Sequence, residues 1–213
     1  MVKVTVQLKK WKNKVGKEYT DRNSISLNDL EKLYKSNFGI TRTELNKLFL
    51  GRMGRAIRIL EVGCNIGNQL LCLQKMGFKN LYGIEPQDYA VEISKKRTKG
   101  VNIIKGDVFD MPFKDNYFDL IFTSGVLIHI SRKHITKAIK EIYRCSRKYI
   151  WGYEYYSKKR REIPFRGKRN FLWKANFIEI YTDIFPDLKL IKVKYLKYLK
   201  NDNMDTMFLF KKV

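Results

Sequence analysis

The chain has 213 residues and is 44% apolar, enough for one good core, and its 44 Lys and Arg against 21 Asp and Glu give a net charge of +23. Cys64, Cys72 and Cys145 have no metal-type spacing and only His129 and His134 could join them, which argues against a structural zinc site and for thiols in a reducing compartment. The longest apolar-rich run, Tyr117 to Ile130, is too short to span a bilayer and carries Asp119, Thr123, Ser124 and His129, so a cytoplasmic protein is expected.

The opening "MVKVTVQLKKWKNK" alternates apolar and polar residues without a continuous apolar core, which predicts no cleavable signal. Residues 1–20 are basic and aromatic. From Ser26 to Leu50 apolar residues recur at helical spacing, and Gly39 with a Thr41 cap divides the stretch into two helices. Strand and helix then alternate. Strands are expected at Ile57 to Val62, Leu81 to Ile84, Val101 to Ile104, Phe118 to Thr123 and Tyr149 to Tyr153; helices at Gln69 to Lys75, Gln87 to Arg97 and Arg132 to Cys145. A long basic loop leads to a helix over Lys174 to Ile184. Two strands, Leu188 to Leu199 and Thr206 to Lys212, end the chain around "NDN". Repeated βα units imply an α/β fold with a parallel sheet, right-handed crossovers and helices on both faces. The final hairpin adds an antiparallel pair at one edge, in a single domain over residues 1–213. Ligands of such sheets bind beyond the carboxyl ends of the strands.

The stretch "ILEVGCNIGNQL", Ile59 to Leu70, stands at such an end. Gly63 and Gly67 permit positive φ and a close ligand approach where the strand turns into a helix with free N–H groups. Asn65 occupies the place of a middle glycine, and asparagine tolerates left-handed geometry. Glu85 closes the second strand, 18 positions after Gly67, where a carboxylate accepts both hydroxyls of a ribose. Asp107 follows the third strand, where an acid accepts from an adenine amino group. The fourth strand brings Ser124 and Gly125 to the same rim.

In "ILEVGCNIG", "LYGIEP", "IIKGDVFDMPF" and "YFDLIFTSGVLIHI" the chain resembles the successive motifs of the class I S-adenosylmethionine-dependent methyltransferases. The resemblance implies a Rossmann-like, seven-stranded sheet in which only the last strand of the terminal hairpin runs antiparallel. It implies S-adenosylmethionine as cofactor and S-adenosylhomocysteine as product. Glu61, Gly63, Cys64, Asn65 and Gly67 would line the methionine part, Glu85 and Pro86 would hold the ribose, and Asp107 and Val108 would frame the adenine, with Ser124 at the rim. A narrower likeness, in "KEYTDRN", "GVLIHI", "YRCSRKYI", "EYY", "IPFRG", "LWK" and "FPDLKL", is to methylases associated with pseudaminic acid and related surface-sugar biosynthesis. It implies that residues 1–55 form an N-terminal helical lid, with Tyr19, Arg22 and Asn23 over the cofactor. Residues 56–150 then form the cofactor half and residues 151–213 the substrate side.

Methyl transfer from a sulfonium is an in-line displacement and largely a positioning task, although a sugar hydroxyl gains from a general base. His129, after the fourth strand, is the candidate base; a histidine that only hydrogen-bonds the loop fits the same place. His134, at the start of a polar helix, is expected to be exposed. Glu154 follows the fifth strand and either assists as a base or orients substrate, unless it pairs with an arginine. Tyr155 and Tyr156 would contact substrate, and Arg166 could clamp a phosphate or carboxylate bidentately. The expected reaction is methyl transfer to oxygen of a sugar or nucleotide-linked sugar. A nucleic-acid substrate is the alternative, because +23 suits a polyanionic partner, though a chain rich in Lys, Ile, Asn and Tyr throughout also fits compositional bias. Where amino-directed methyltransferases commonly carry an Asn/Asp-Pro-Pro-aromatic turn, this chain reads "TSGVLIHI", which argues against adenine or cytosine amino methylation.

Overall fold

The computed structural model describes residues 5–213, so the part of the alternating opening on residues 1–4 lies outside the described residues. Seven strands form one sheet in the order β3-β2-β1-β4-β5-β9-β8. They are β1 (Arg58–Val62), β2 (Asn80–Glu85), β3 (Asn102–Lys105), β4 (Phe118–Ser124), β5 (Ser146–Tyr155), β8 (Leu188–Lys197) and β9 (Met204–Lys212). The first five pair in parallel, while β9 runs antiparallel to both β5 and β8. The α/β fold and its terminal antiparallel hairpin therefore match the sequence expectation.

Strand β1 shows how the sequence builds two cores. Successive side chains point to opposite faces. Leu60 and Val62 enter a core shared with Ile121 and the amphipathic helix α7 (Arg132–Cys145). Ile59 enters the other, with Leu70 and Leu73 of α5 (Asn68–Lys75) and Leu45 and Leu50 of α4 (Arg42–Leu50). Glu61 lies on the Ile59 face, so the pleat carries a carboxylate into that second core. Helix α6 (Asp88–Arg97) covers β2 and β3, and α8 (Phe177–Ile184) packs under β8. Thr41 caps α4 in a capping box with Glu44, as the spacing predicts.

The N-terminal segment is helical, and one later region departs from the sequence reading. Within the described residues α1 (Val6–Lys12) starts at Thr5, whose Oγ1 accepts from the Leu8 N–H at 3.0 Å, and α2 (Lys14–Arg22) follows after a break at Asn13. Leu8 and Trp11, one turn apart, point inward. Helix α3 (Leu27–Phe38) completes the N-terminal cover. The departure is the basic loop, which folds as a hairpin of β6 (Arg161–Phe165) and β7 (Lys168–Lys174). Its two-residue turn has Arg166 at φ 49° and Gly167 at φ 74°, the positive-φ pair that matches strand twist in tight hairpins. Because β7 runs to Lys174, helix α8 begins at Phe177 rather than at Lys174.

Candidate active site

A cavity of about 400 Å³ opens at the carboxyl ends of β1, β2, β4 and β5 beneath α1, α2 and α3. The turn after β1 forms its floor. Gly63 sits at φ 70°, and a Cβ there would lie 2.6 Å from Val126 Cγ2. Asn65 is left-handed at φ 46° and lines the cavity. Gly67 serves packing instead: a Cβ would lie 2.5 Å from Thr98 Cγ2, so its absence lets α5 approach α6, and Gly67 is not on the cavity wall.

Glu61, Cys64, Asn65, Glu85, Pro86, Asp107, Val108 and Ser124 all reach the wall, as does Tyr19 from α2. Burial drives the Glu61 carboxyl well above the ordinary range, and its Oε2 has no partner. Asn65 Oδ1 and Gln69 Oε1 are likewise buried and unpartnered on this wall. Burial pushes the Glu85 carboxyl up to about 7, against the N–H groups of Asn65 and Gln87 that donate to it. The Cys64 thiol is raised well above its usual range by burial, and its sulfur fills the space beside Gly83, where a Cβ would be 2.7 Å away. At the β3 end Asp107 accepts from the Phe109 N–H at 3.1 Å and pairs with Lys12 of α1 at 3.2 Å.

Three signals were missed in the sequence. Trp11 from α1 packs edge-on against Tyr19 and His129, with ring centroids at 5.1 and 4.6 Å. Gln87 joins floor to cover: it accepts from Thr20 Oγ1 at 3.1 Å and donates to the Asn13 carbonyl at 3.1 Å. Tyr34, Tyr153 and Tyr198 also line the cavity. Trp11 and Gln87 could have been suspected only as polar or aromatic residues beside the cofactor motifs.

The other expected residues divide. His129 faces the cavity from a single helical turn, Leu127–His129, and its Nδ1 lies 2.9 Å from the Phe171 carbonyl. A carbonyl accepts only, so Nδ1 carries the proton and Nε2 keeps its lone pair. Burial pushes the imidazole down to about 4, keeping it neutral at ordinary pH. His134, expected to be exposed, is half-buried on the cavity wall with its Nδ1 2.9 Å from Ser131 Oγ. Glu154 is turned away from the cavity and fully buried, where Oε1 accepts from the Val126 N–H at 3.1 Å and Oε2 from the Ile128 N–H at 3.3 Å. Those bonds fix the turn that carries His129. Among the described residues no arginine pairs with it. Tyr155 reaches the cavity; Tyr156, on the opposite face of the strand end, packs on Tyr195 at 4.9 Å and does not. Arg166 is exposed at the hairpin turn, and Arg22 is exposed at the end of α2; neither lines the cavity.

Residues 60–149 match a family model described as a methyltransferase domain. An uncharacterized methyltransferase of Oceanobacillus iheyensis is 27% identical over 147 residues, 66% of this chain and 68% of that protein. Cycloartenol-C-24-methyltransferase 1 of Oryza sativa subsp. japonica is 31% identical over 94 residues, 41% of this chain but 27% of its own length. Among solved structures, a 1,6-didemethyltoxoflavin-N1-methyltransferase of Burkholderia thailandensis with bound S-adenosylhomocysteine superposes with a TM-score of 0.68 at 12% identity, covering 93% of this chain and 85% of that one. Together these matches support a methyltransferase that uses S-adenosylmethionine. The site fits that cofactor chemically: it presents buried acceptor atoms without donors, and the cofactor carries ammonium and hydroxyl donors that such atoms need.

Proposed function

We propose that the protein transfers methyl to a hydroxyl of a sugar or nucleotide-linked sugar in surface-glycan biosynthesis, in the cytoplasm. The observation that carries this reading is the neutral His129, whose Nδ1–H is spent on the Phe171 carbonyl and whose Nε2 is left as an acceptor. S-adenosylmethionine, when bound, supplies an electrophilic methyl group on its sulfonium. The chain's residues align the partners and handle the acceptor proton. Glu61, Asn65 and Glu85 hold the donor-rich parts of the cofactor, and Asp107 exchanges Lys12 for the adenine amino group. Tyr19 covers the cofactor from α2. His129 Nε2 receives the hydroxyl proton as the oxygen attacks, and Glu154 positions His129 by fixing its turn. The motifs outside the cofactor region, among them "IPFRG" and "LWK", resemble those of methylases of surface-sugar biosynthesis and support a sugar acceptor. On this reading Arg166 and Tyr156 meet only the distal part of a larger acceptor, beyond the cavity.

A nucleic-acid acceptor is favoured by the net charge of +23 alone. The site's own geometry favours a small molecule, since the transfer region lies under three helices. Incubation with methyl-labelled cofactor and a pool of nucleotide sugars is expected to yield a labelled O-methyl sugar. Label entering RNA instead, with binding that weakens steeply as salt rises, would replace this reading with the nucleic-acid one.

A further inference from the structure

One end of the cavity is walled by five tyrosines from four places in the chain: Tyr19 of α2, Tyr34 of α3, Tyr153 and Tyr155 of β5, and Tyr198 after β8. Tyr153 and Tyr155 are two apart, so the pleat points both the same way. Tyr34 and Tyr153 have ring centroids 5.8 Å apart, and Phe38 closes on Tyr198 at 4.5 Å. Behind the rings lies Asp205, 1% exposed. Its Oδ2 accepts from Tyr153 OH at 2.5 Å and from Tyr198 OH at 3.1 Å. Each of those phenols has spent its proton on Asp205, so each can offer the cavity only lone pairs.

The far side of the same rings is already cationic. Arg42 is wholly buried, with its guanidinium carbon 4.7 Å from the Tyr153 centroid and 5.3 Å from that of Tyr34, and it donates to Tyr34 OH at 2.9 Å. Lys174 Nζ lies 5.7 Å from the Tyr155 ring centroid. Two fixed cations thus face Asp205, which is occupied by phenols, and the other carboxyl beside Arg42, Glu61, is driven by burial well above the ordinary range toward its neutral form. An aromatic wall can attract a cation, but here the attraction is already used from behind, and a second positive charge would meet repulsion in a dry site. A neutral hydroxyl meets what it needs, an oxygen acceptor and a ring face to lie on.

Resting on the reading of a sugar acceptor, we propose that this tyrosine lobe is the acceptor subsite, that Tyr153 and Tyr198 accept hydrogen bonds from acceptor hydroxyls, and that Arg42 and Lys174 make the lobe reject ammonium-bearing acceptors. Selection is by placed charge as well as by fit. Asp205 acts through the two phenols as a positioning residue.

The test uses the protein saturated with S-adenosylhomocysteine, with glucose and glucosamine as probes at pH 6.5, where the amine is mainly cationic, and binding read by saturation-transfer NMR titration. Glucose is expected to bind at least roughly 5-fold more tightly than glucosamine. Tyr198→Phe and Tyr153→Phe should each weaken glucose roughly 5-fold, the loss of about one neutral hydrogen bond. S-adenosylhomocysteine affinity, measured by calorimetry, should stay unchanged in both and shows that the variants fold. Equal or tighter binding of glucosamine overturns the proposal. If glucose binds and both variants bind it unchanged, the lobe assignment falls while the sugar reading stands. If neither sugar binds, the subsite proposal falls, and methyl transfer to the nucleotide-sugar pool decides separately whether the sugar reading stands.

Discussion

The carboxylate of Glu85 accepts the backbone N–H of Asn65 through Oε2 at 2.9 Å, tying the end of β2 to the left-handed turn that follows β1. Its Oε1 accepts the Gln87 N–H at 3.1 Å, and each oxygen keeps a further lone pair. One side chain therefore shapes the floor and remains able to receive a ribose. Glu85→Ala should weaken S-adenosylhomocysteine binding by about 1–3 kcal/mol, the usual loss for a charge-assisted hydrogen bond. Isothermal titration showing unchanged affinity would refute this placement of the ribose.

The same group sets a pH dependence. Burial raises the folded carboxyl to about 7, above its value in the unfolded chain. Between the unfolded value and about 7 the folded protein holds more protons, so Glu85's contribution to the stability of the cofactor-free protein is full at acid pH and is lost as pH rises through about 7. Hydroxyl donors prefer the ionised form. Binding below pH 7 should then release a proton, and affinity should rise from about pH 6 to pH 8. Glu85→Gln should flatten that rise; a slope equally steep in the variant would assign the proton to another group.

His129→Ala should lower turnover far more than cofactor affinity, by roughly 10²–10⁴-fold if the imidazole handles the acceptor proton. Single-turnover rates and calorimetric affinity measured side by side separate the two quantities. A variant that loses cofactor affinity while transferring methyl at the ordinary rate would leave His129 as a wall residue only.

Much of this arrangement is legible in sequence because it depends on local order. The acids Glu61, Glu85 and Asp107 stand at or just beyond strand ends, and strand ends converge in a parallel sheet whatever the loops do. The β6–β7 hairpin was hidden by its charges and by Pro164, though Arg166–Gly167 between the alternating Ile163/Phe165 and Phe171/Trp173 was a usable turn signal. Pro164 is tolerated because the two-stranded sheet consists of edges. Glu154 sits at a strand end like the others but points into the β4 turn, and only the tertiary path of residues 126–128 decides that. Tyr153 and Tyr198 are 45 positions apart, and no local pattern announces that they meet at Asp205.

Glu154 should be a stability residue first. Removing it leaves the N–H groups of Val126 and Ile128 buried without acceptors, so Glu154→Ala should cost about 2–4 kcal/mol in urea denaturation. A loss under about 0.5 kcal/mol would mean that water replaces both bonds at little cost.

Gly152 offers a test of the sheet beneath the site. It lies mid-strand in β5, paired with Ser124's neighbour Thr123 on one side and with Phe208 on the other. A Cβ at Gly152 would sit 2.1 Å from Cζ of the Phe208 ring and 2.6 Å from two further ring atoms. That ring is buried in contact with Tyr181 and Phe210, at centroid distances of 5.8 and 5.4 Å, so it has no open side to move into. Gly152→Ala should therefore destabilise by about 1–3 kcal/mol or more, as overpacked cores do. Because β5 carries Tyr153 and Tyr155 to the cavity, the displaced strand should also disturb acceptor binding before cofactor binding. Pairing Gly152→Ala with Phe208→Leu relieves the clash and should restore part of the loss. A double variant no more stable than Gly152→Ala alone would show that the strain lies in the backbone and not in the ring.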